Sequence, residues 1–391
     1  MAKVKSIRLK RQWKGVRVLL RVDFNVPKDG KNIAEDFRIT AALPTLRFLI
    51  SKGARVIILS HWGDPKGWDK SLSTKPLAAR LSRLSKLKIK HVADIAGKKA
   101  LAAIAKLEDG EVLMLENVRF EAGEKDNSRE FAKQLASLAE VYVNDAFSVC
   151  HRDQASVSLV SGLLPSYAGL QVGEEIRNLD RVLEPQKPLI VIMGGSKIAT
   201  KAPLIRKLYP KAEKILLGGG LANTFLKWQG KEIGKSLADD DAKEYIEPFF
   251  VKGKLKAKII LPVDAVVESS SGRNYCKIVE GINKGDRIFD IGPETVALFS
   301  SLIKKGKTIV WNGPLGKFED APFRHGTQAV AEVIAARSTG KAFGLVGGGE
   351  TVDALKRTKM ESYVDWVSTA GGAMLSYLGG EKLPGLKNIL K

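Results

Sequence analysis

The strongest constraint on the fold is an alternation that runs the length of the chain. Apolar runs of strand length at residues 16–22, 55–59, 112–115, 141–143, 189–192, 215–217, 259–261, 287–290, 308–311 and 342–346 are separated by helical patterns, among them 41–49, 128–138, 174–183, 296–303 and 327–335. Several runs, such as Leu189-Ile190-Val191-Ile192, are apolar without interruption. A strand covered by helices on both faces reads this way, because neither face meets water. The expected class is α/β, with mainly parallel sheets between layers of helix. At 391 residues the chain exceeds what one core usually supports, so two such domains are expected. The helical pattern at 174–184, closed by Pro185 and Pro188 and followed at once by a new strand, is the expected connection.

Ligands of open α/β sheets bind beyond the carboxyl ends of the strands, so the residues just after each run carry the functional signal. In the first half these are Asp23-Phe24-Asn25, Ser60-His61-Trp62-Gly63-Asp64, Asn117-Val118-Arg119 and Asn144-Asp145-Ala146, with His151-Arg152 a little later and Arg38 opening the first helical pattern. Any one arginine is more often a surface ion pair than a ligand contact. Arg38, Arg119 and Arg152 at one sheet edge would instead suit a small phosphorylated or carboxylic acid. His61 is read as a loop or substrate-contacting histidine, since the four histidines lack metal-ligand spacing. Adjacent side chains diverge, so Cys150 and His151 do not read as a nucleophile–base pair, and Cys150 reads as a packed hydrophobe.

In the second half the strand ends are rich in glycine: Gly194-Gly195-Ser196-Lys197, Gly218-Gly219-Gly220, Asn312-Gly313-Pro314-Leu315-Gly316, Gly347-Gly348-Gly349-Glu350-Thr351 and Ala370-Gly371-Gly372. Glycine lets backbone approach a ligand closely, and a helix starting there aims N–H groups at an anion. A single glycine triplet is usually a tight turn, but the series favours a nucleotide. Lys197 and Lys201 at the mouth of the 189–192 run add charge for a phosphate in transit. The segment from Gly230 to Ser236 imitates a phosphate loop, but it is one residue short and follows a helix. A small acid in one half and a nucleotide in the other imply a phosphotransferase that closes over both.

The net charge of +21 attracts anions without saying which. Residues 70–93 contain no acid and many lysines and arginines, yet Leu77, Leu81 and Leu84 recur at helical spacing with no interleaved aromatics. An amphipathic helix with a solvated basic face is the better reading, so nucleic acid is not an expected partner. Two cysteines, Cys150 and Cys276, make no disulfide framework and suit a reducing compartment. No apolar run reaches membrane-spanning length.

Taken in order, the motifs at 21–27, 36–39, 60–67, 116–120, 143–152, 194–201, 218–225, 311–319, 347–351 and 368–373 resemble those of phosphoglycerate kinases across essentially the whole chain. The resemblance implies two Rossmann-like three-layer domains joined by a helix and hinge. Residues 1–172, with about 380–391 folding back, would bind 3-phosphoglycerate or 1,3-bisphosphoglycerate, and 173–379 would bind ATP or ADP with Mg2+. It implies reversible phosphoryl transfer between 1,3-bisphosphoglycerate and ADP, in a cytoplasmic monomer with no membrane partner. By resemblance, Asp23, Phe24, Asn25, Arg38, His61, Gly63, Arg119 and Arg152 contact the glycerate substrate. Lys201, Gly218, Gly219, Gly220, Asn312, Pro314, Glu319, Gly347, Gly348, Gly349, Glu350 and Thr351 would form the nucleotide site, with Glu350 on magnesium. Arg38, Lys197, Lys201, Gly371 and Gly372 would stabilise the group in transfer. The alternatives are a basic nucleic-acid-binding protein on the same scaffold, or a kinase for another small acid.

The chain also departs from that pattern. Asp64 stands where relatives usually carry arginine, Thr200 where they carry aspartate, and Glu350 where they carry aspartate. Trp366 replaces a common histidine and Ala370 a glycine. An acid at 64 is expected to repel an anionic substrate and raise its KM, unless it points away or Lys66 substitutes for the missing cation.

Overall fold

The computed structural model describes residues 4–30 and 32–391. The chain forms two compact units, Met1–Arg177 with Lys382–Lys391, and Asn178–Glu381. They part inside the helix Leu170–Leu183.

The first unit is built on six parallel strands, ordered from edge to edge as Ile89–His91, Val112–Met114, Arg55–Leu59, Arg17–Val22, Val141–Asp145 and Ser166–Ala168. Val18, Leu20, Val56 and Ile58 join one core cluster, while Leu19, Ile57 and Leu59 join another. Successive residues enter opposite layers, which is the two-residue period of strands buried on both faces. Each such side chain contributes about 1.5–3 kcal/mol by leaving water. Helices close both layers. In Arg129–Ser137 the Ser128 hydroxyl accepts the Phe131 amide, and Phe131, Ala132 and Leu135 are buried. The basic segment forms the helix Lys75–Ser85, burying Leu77, Ala78 and Leu81. The C-terminal segment packs in this unit: Lys5 N donates to Ile389 O at 2.7 Å, and Gly385 N to Cys150 O at 3.0 Å.

The second unit repeats the plan with Ile259–Ile260, Lys214–Leu217, Leu189–Met193, Thr308–Asn312, Phe343–Gly347 and Trp366–Ser368, again all parallel. The expected strand at 287–290 lies outside that sheet. Arg287–Ile291 pairs antiparallel with Asp264–Glu268, which also pairs with Asn274–Ile278. Its first residue is exposed and only its last two are buried, so it covers one side of the unit rather than crossing the middle. Three short strands, Ile89–His91, Ser166–Ala168 and Trp366–Ser368, leave no apolar run to read. All three are sheet edges, where burial is partial.

The strand order reverses once in each sheet. In the first unit the chain fills positions to one side of Arg17–Val22, then returns to place Val141–Asp145 on the other. In the second the reversal lies between Leu189–Met193 and Thr308–Asn312. At such switch points the loops diverge and leave a crevice.

Candidate active site

At the first switch point Asp23 follows its strand and is nearly buried. Its carboxylate accepts from Arg38, from the Ser148 hydroxyl and, at 3.0 Å, from the Asn25 amide. Asn25 Oδ1 accepts the Gly63 amide at 2.8 Å. Gly63 has φ +67°, and a Cβ there would lie 2.8 Å from Leu72, so this turn needs glycine. Its carbonyl accepts from Arg119 Nη1 at 2.6 Å. Asp23, Asn25, Arg38, Gly63 and Arg119 therefore form one connected wall. Phe24 turns its ring into the core, and its amide donates to Ser60 Oγ.

His61 is buried, with Nδ1 3.1 Å from Arg21 Nη2. The guanidinium can only donate, so Nδ1 accepts and the ring proton sits on Nε2. Burial holds the imidazole well below its usual pKa, reinforced by Arg21, Arg119, Arg152 and Arg38. His61 is therefore a neutral donor at physiological pH. Arg21 opens the 21–27 motif but was not among the expected site residues. It is fully buried, and its Nε donates to Ser156 Oγ at 3.0 Å. Ser156 in turn donates to the buried Glu124 carboxylate, from Oγ at 2.7 Å and from its amide at 2.8 Å. An arginine following the apolar stretch Val18-Leu19-Leu20 within the strand was the available signal.

Arg119 is the buried cation of this cluster with the most unused hydrogen-bonding capacity. Its side chain is 3% exposed, yet Nε and Nη2 have no partner among the described residues. Burial and the charges of Arg152 and Arg21 pull its pKa down to about 10. A buried cation with idle donors beside further cations is a costly arrangement that a polyanion would relieve. Arg152 is exposed, and its charge reaches both His61 and Arg119. Asp64 does not stand alone against this field. Its carboxylate meets Arg119 at 3.2 Å and Lys125 Nζ at 2.7 Å, so the neighbouring cation is Lys125 rather than Lys66.

The second switch point is tighter. A Cβ on Gly194 would lie 1.8 Å from the Pro314 carbonyl, so the two loops meet backbone to backbone. Gly194 N donates to Asn312 O, and Gly195 N to Pro314 O, each at 3.0 Å. Here glycine serves packing between loops as much as ligand approach. Asn312 Nδ2 donates to Gly347 O at 2.7 Å, and Gly313 N to Thr351 Oγ1 at 2.6 Å. Asn312 Oδ1 accepts from Lys201. Lys201 is largely buried, which brings its pKa down to about 8 against the opposing pull of Glu350. Lys197 is exposed at the N-cap of the helix Ile198–Leu208, and Thr200 Oγ1 donates to its carbonyl.

Beside these loops lies a cavity of about 350 Å³. Gly219, Gly220, Pro314, Glu319 and Glu350 line it, whereas Gly218 packs under Leu315. Its apolar wall includes Ala222, Leu226, Leu237, Ile288 and Leu315, which suits a flat heteroaromatic ring. Lys235, Arg287 and Lys317 also border it, and none was expected from sequence. Lys235 and Ser236 belong to the segment resembling a phosphate loop. That segment holds its shape differently, through a Lys235 N to Asp286 O bond at 2.7 Å. The helices Ile198–Leu208, Gly219–Trp228, Gly349–Arg357 and Gly372–Gly379 all start just after parallel strands, so their free N–H groups gather on the strands' carboxyl side.

Among the described residues no group of three histidines, cysteines or carboxylates could hold a metal by itself. A magnesium ion needs less, since one or two carboxylates and a nucleotide's phosphates suffice. Glu350, exposed at the start of Gly349–Arg357 on the cavity wall, is a donor of that kind. No described helix is long and apolar enough to cross a membrane.

A family model described as phosphoglycerate kinase matches residues 9–381. The phosphoglycerate kinase of Pelotomaculum thermopropionicum is 42% identical over 383 residues, covering 96% of this chain and 97% of that protein. That of Pelobacter propionicus is 43% identical over 382 residues, covering 96% and 95%. The solved structure of phosphoglycerate kinase from Coxiella burnetii superposes with a TM-score of 0.86 at 38% identity, covering 99% of this chain and 98% of that one.

Proposed function

The chain belongs to the phosphoglycerate kinase family, and we propose that its two switch points divide the reaction between them. It is a phosphotransferase acting between a carboxyl group and a nucleotide, with nothing in the structure favouring a nucleic-acid role. In the proposed division, Asp23, Asn25, Arg38, His61, Gly63, Arg119 and Arg152 receive 3-phosphoglycerate or 1,3-bisphosphoglycerate. Asp23 fixes the Arg38 guanidinium, Arg21 fixes His61 as a neutral Nε2–H donor, and Arg119 offers Nε and Nη2 to the anion. The idle donors of Arg119 are the observation that carries this assignment. The cavity in Asn178–Glu381 would take ADP or ATP, with the base against Leu237 and Leu315 and the ribose near Glu319. Gly347, Gly348, Gly349 and Thr351 would run along the phosphates.

The reaction asks little of acid–base chemistry. The carboxylate of 3-phosphoglycerate is already ionised at neutral pH and attacks directly. What remains is alignment and neutralisation of the phosphoryl oxygens. Lys201, Lys197 and Arg38 would supply the positive charge, and the amides at Gly371 and Gly372 would add donors. Magnesium held by Glu350 would neutralise nucleotide phosphate charge. The proposal includes hinge-bending about Leu170–Leu183 and a cytoplasmic monomer. A coupled assay of 3-phosphoglycerate-dependent ATP consumption tests the residue roles. Arg38→Ala and Lys201→Ala should each lower turnover by about 10²-fold or more. Near-normal turnover in either variant removes that residue from the reaction.

A further inference from the structure

The helix Ala122–Lys125 is short, but its place is fixed from inside. Glu124 is fully buried and grips Ser156 by both its oxygens. The next residue, Lys125, is thereby carried to the mouth of the cation cluster. Its Nζ lies 2.7 Å from Asp64 Oδ1 and 3.3 Å from Pro65 O. The same Asp64 oxygen lies 3.2 Å from Arg119 Nη1. One carboxylate oxygen is thus shared between an exposed lysine and a buried arginine whose other donors are idle. Asp64 itself is 71% exposed, so it can move. Lys125 is the first cause of its lowered pKa, and Arg119 contributes by charge alone.

We propose that Asp64 competes with the substrate for Arg119, and that Lys125 sets specificity by holding Asp64 off. The inference rests on the placement of phosphoglycerate at this cluster. A phosphate that reaches Arg119 meets a resident anion on the same guanidinium. The two repel unless the resident is neutralised elsewhere. Lys125 already holds the shorter contact, so Asp64 can release Arg119 and stay paired. A dianionic phosphate displaces Asp64 on these terms, whereas a simple monoanion gains less from the same exchange. The pair therefore selects for the phosphorylated acid.

The test is a double-mutant cycle read as KM for 3-phosphoglycerate at saturating magnesium ATP. Lys125→Met should raise that KM about tenfold, the scale of one charge-assisted contact, with KM for ATP unchanged. Asp64→Asn should lower it about threefold and make inorganic sulfate a better competitor. The double variant should match Asp64→Asn alone, because Lys125 matters only while residue 64 is charged. Lys125→Arg should restore the wild-type value, and thermal scans check that each variant is folded. An equal rise on Lys125→Met in both backgrounds means that Lys125 binds substrate directly and overturns the proposal. No change in either background overturns it as well. Arg119→Ala separates the two readings. If it leaves KM unchanged, the substrate placement falls and the proposal with it. If it raises KM while residues 64 and 125 show no coupling, only the proposal falls.

Discussion

Lys201→Met should make the ligand-free protein more stable while destroying its activity. A free lysine titrates near 10.5 and this one at about 8, because it is largely buried. Keeping it charged at neutral pH therefore costs about 3 kcal/mol. Methionine keeps the apolar stem and removes the charge. Its removal leaves Asn312 Oδ1 without the lysine donor, which returns about 1 kcal/mol. The net gain of about 2 kcal/mol corresponds to a rise in Tm of roughly 4–8 °C for a domain of this size. The gain has a definite pH dependence. Below pH 8 both states hold the proton and the penalty is complete. Between about 8 and 10.5 the unfolded chain holds more protons than the folded one, so the penalty fades as pH rises. The advantage of the variant should then shrink to roughly 1 °C near pH 9.5. Nucleotide phosphates would stabilise the ammonium in the wild type, so turnover in the variant should fall by about 10³-fold. Thermal unfolding followed by circular dichroism near pH 7 and pH 9.5, beside the coupled assay, measures all of this. A lower Tm at neutral pH, or the same difference at both pH values, would refute the reasoning.

Three further outcomes follow from other contacts. Gly63→Ala forces a left-handed residue against Leu72 and should cost about 1–3 kcal/mol in urea unfolding, with an unshifted midpoint contradicting the strain. Glu319→Ala should raise KM for ATP about tenfold and leave KM for 3-phosphoglycerate alone, and a reversed pattern would place Glu319 outside the nucleotide site. Asp290 borders the cavity proposed for the nucleotide, and burial pushes its carboxyl up to about 7, against the amides of Gly326 and Ile291. Its folded pKa is raised, so this group's penalty is complete above about 7 and gone near 4. Asp290→Asn should therefore stabilise more at pH 8 than at pH 5, and equal Tm differences would exclude it.

Much of the fold was legible because burial on both faces leaves uninterrupted apolar runs. Leu189–Met193 is apolar throughout, 56–59 and 309–311 are the apolar centres of their strands, and the run in Arg17–Val22 is interrupted by Arg21. Three of the four edge strands were not legible, since Ile89–His91, for example, has three partly buried residues and no run to detect, whereas Ile259–Ile260 keeps its apolar pair. Arg287–Ile291 read as a strand correctly, but its antiparallel partners could not be read from its own residues. The residues proposed for the site are those whose chemistry stands out near a strand end, as with Arg38, Arg119 and Lys201. Lys235, Arg287 and Lys317 come from loops and a small sheet that only packing brings to the cavity.

The sequence by itself determined the class of fold, and it supplied the expectation of two domains and the residue types proposed to receive a phosphorylated acid and a nucleotide. These follow from local periodicity and from the chemistry available at each strand end. The tertiary structure decided what each of those groups can do. Arg21 sets the tautomer of His61, burial leaves two donors of Arg119 idle, and Asn312 holds Lys201 in a site that lowers its pKa. It also decided the company of Asp64, for which the sequence offered Lys66 as a compensating cation and which the fold places between Arg119 and Lys125. Charge balance depends on distances between residues far apart in the chain, and those distances exist only once the sheets have formed.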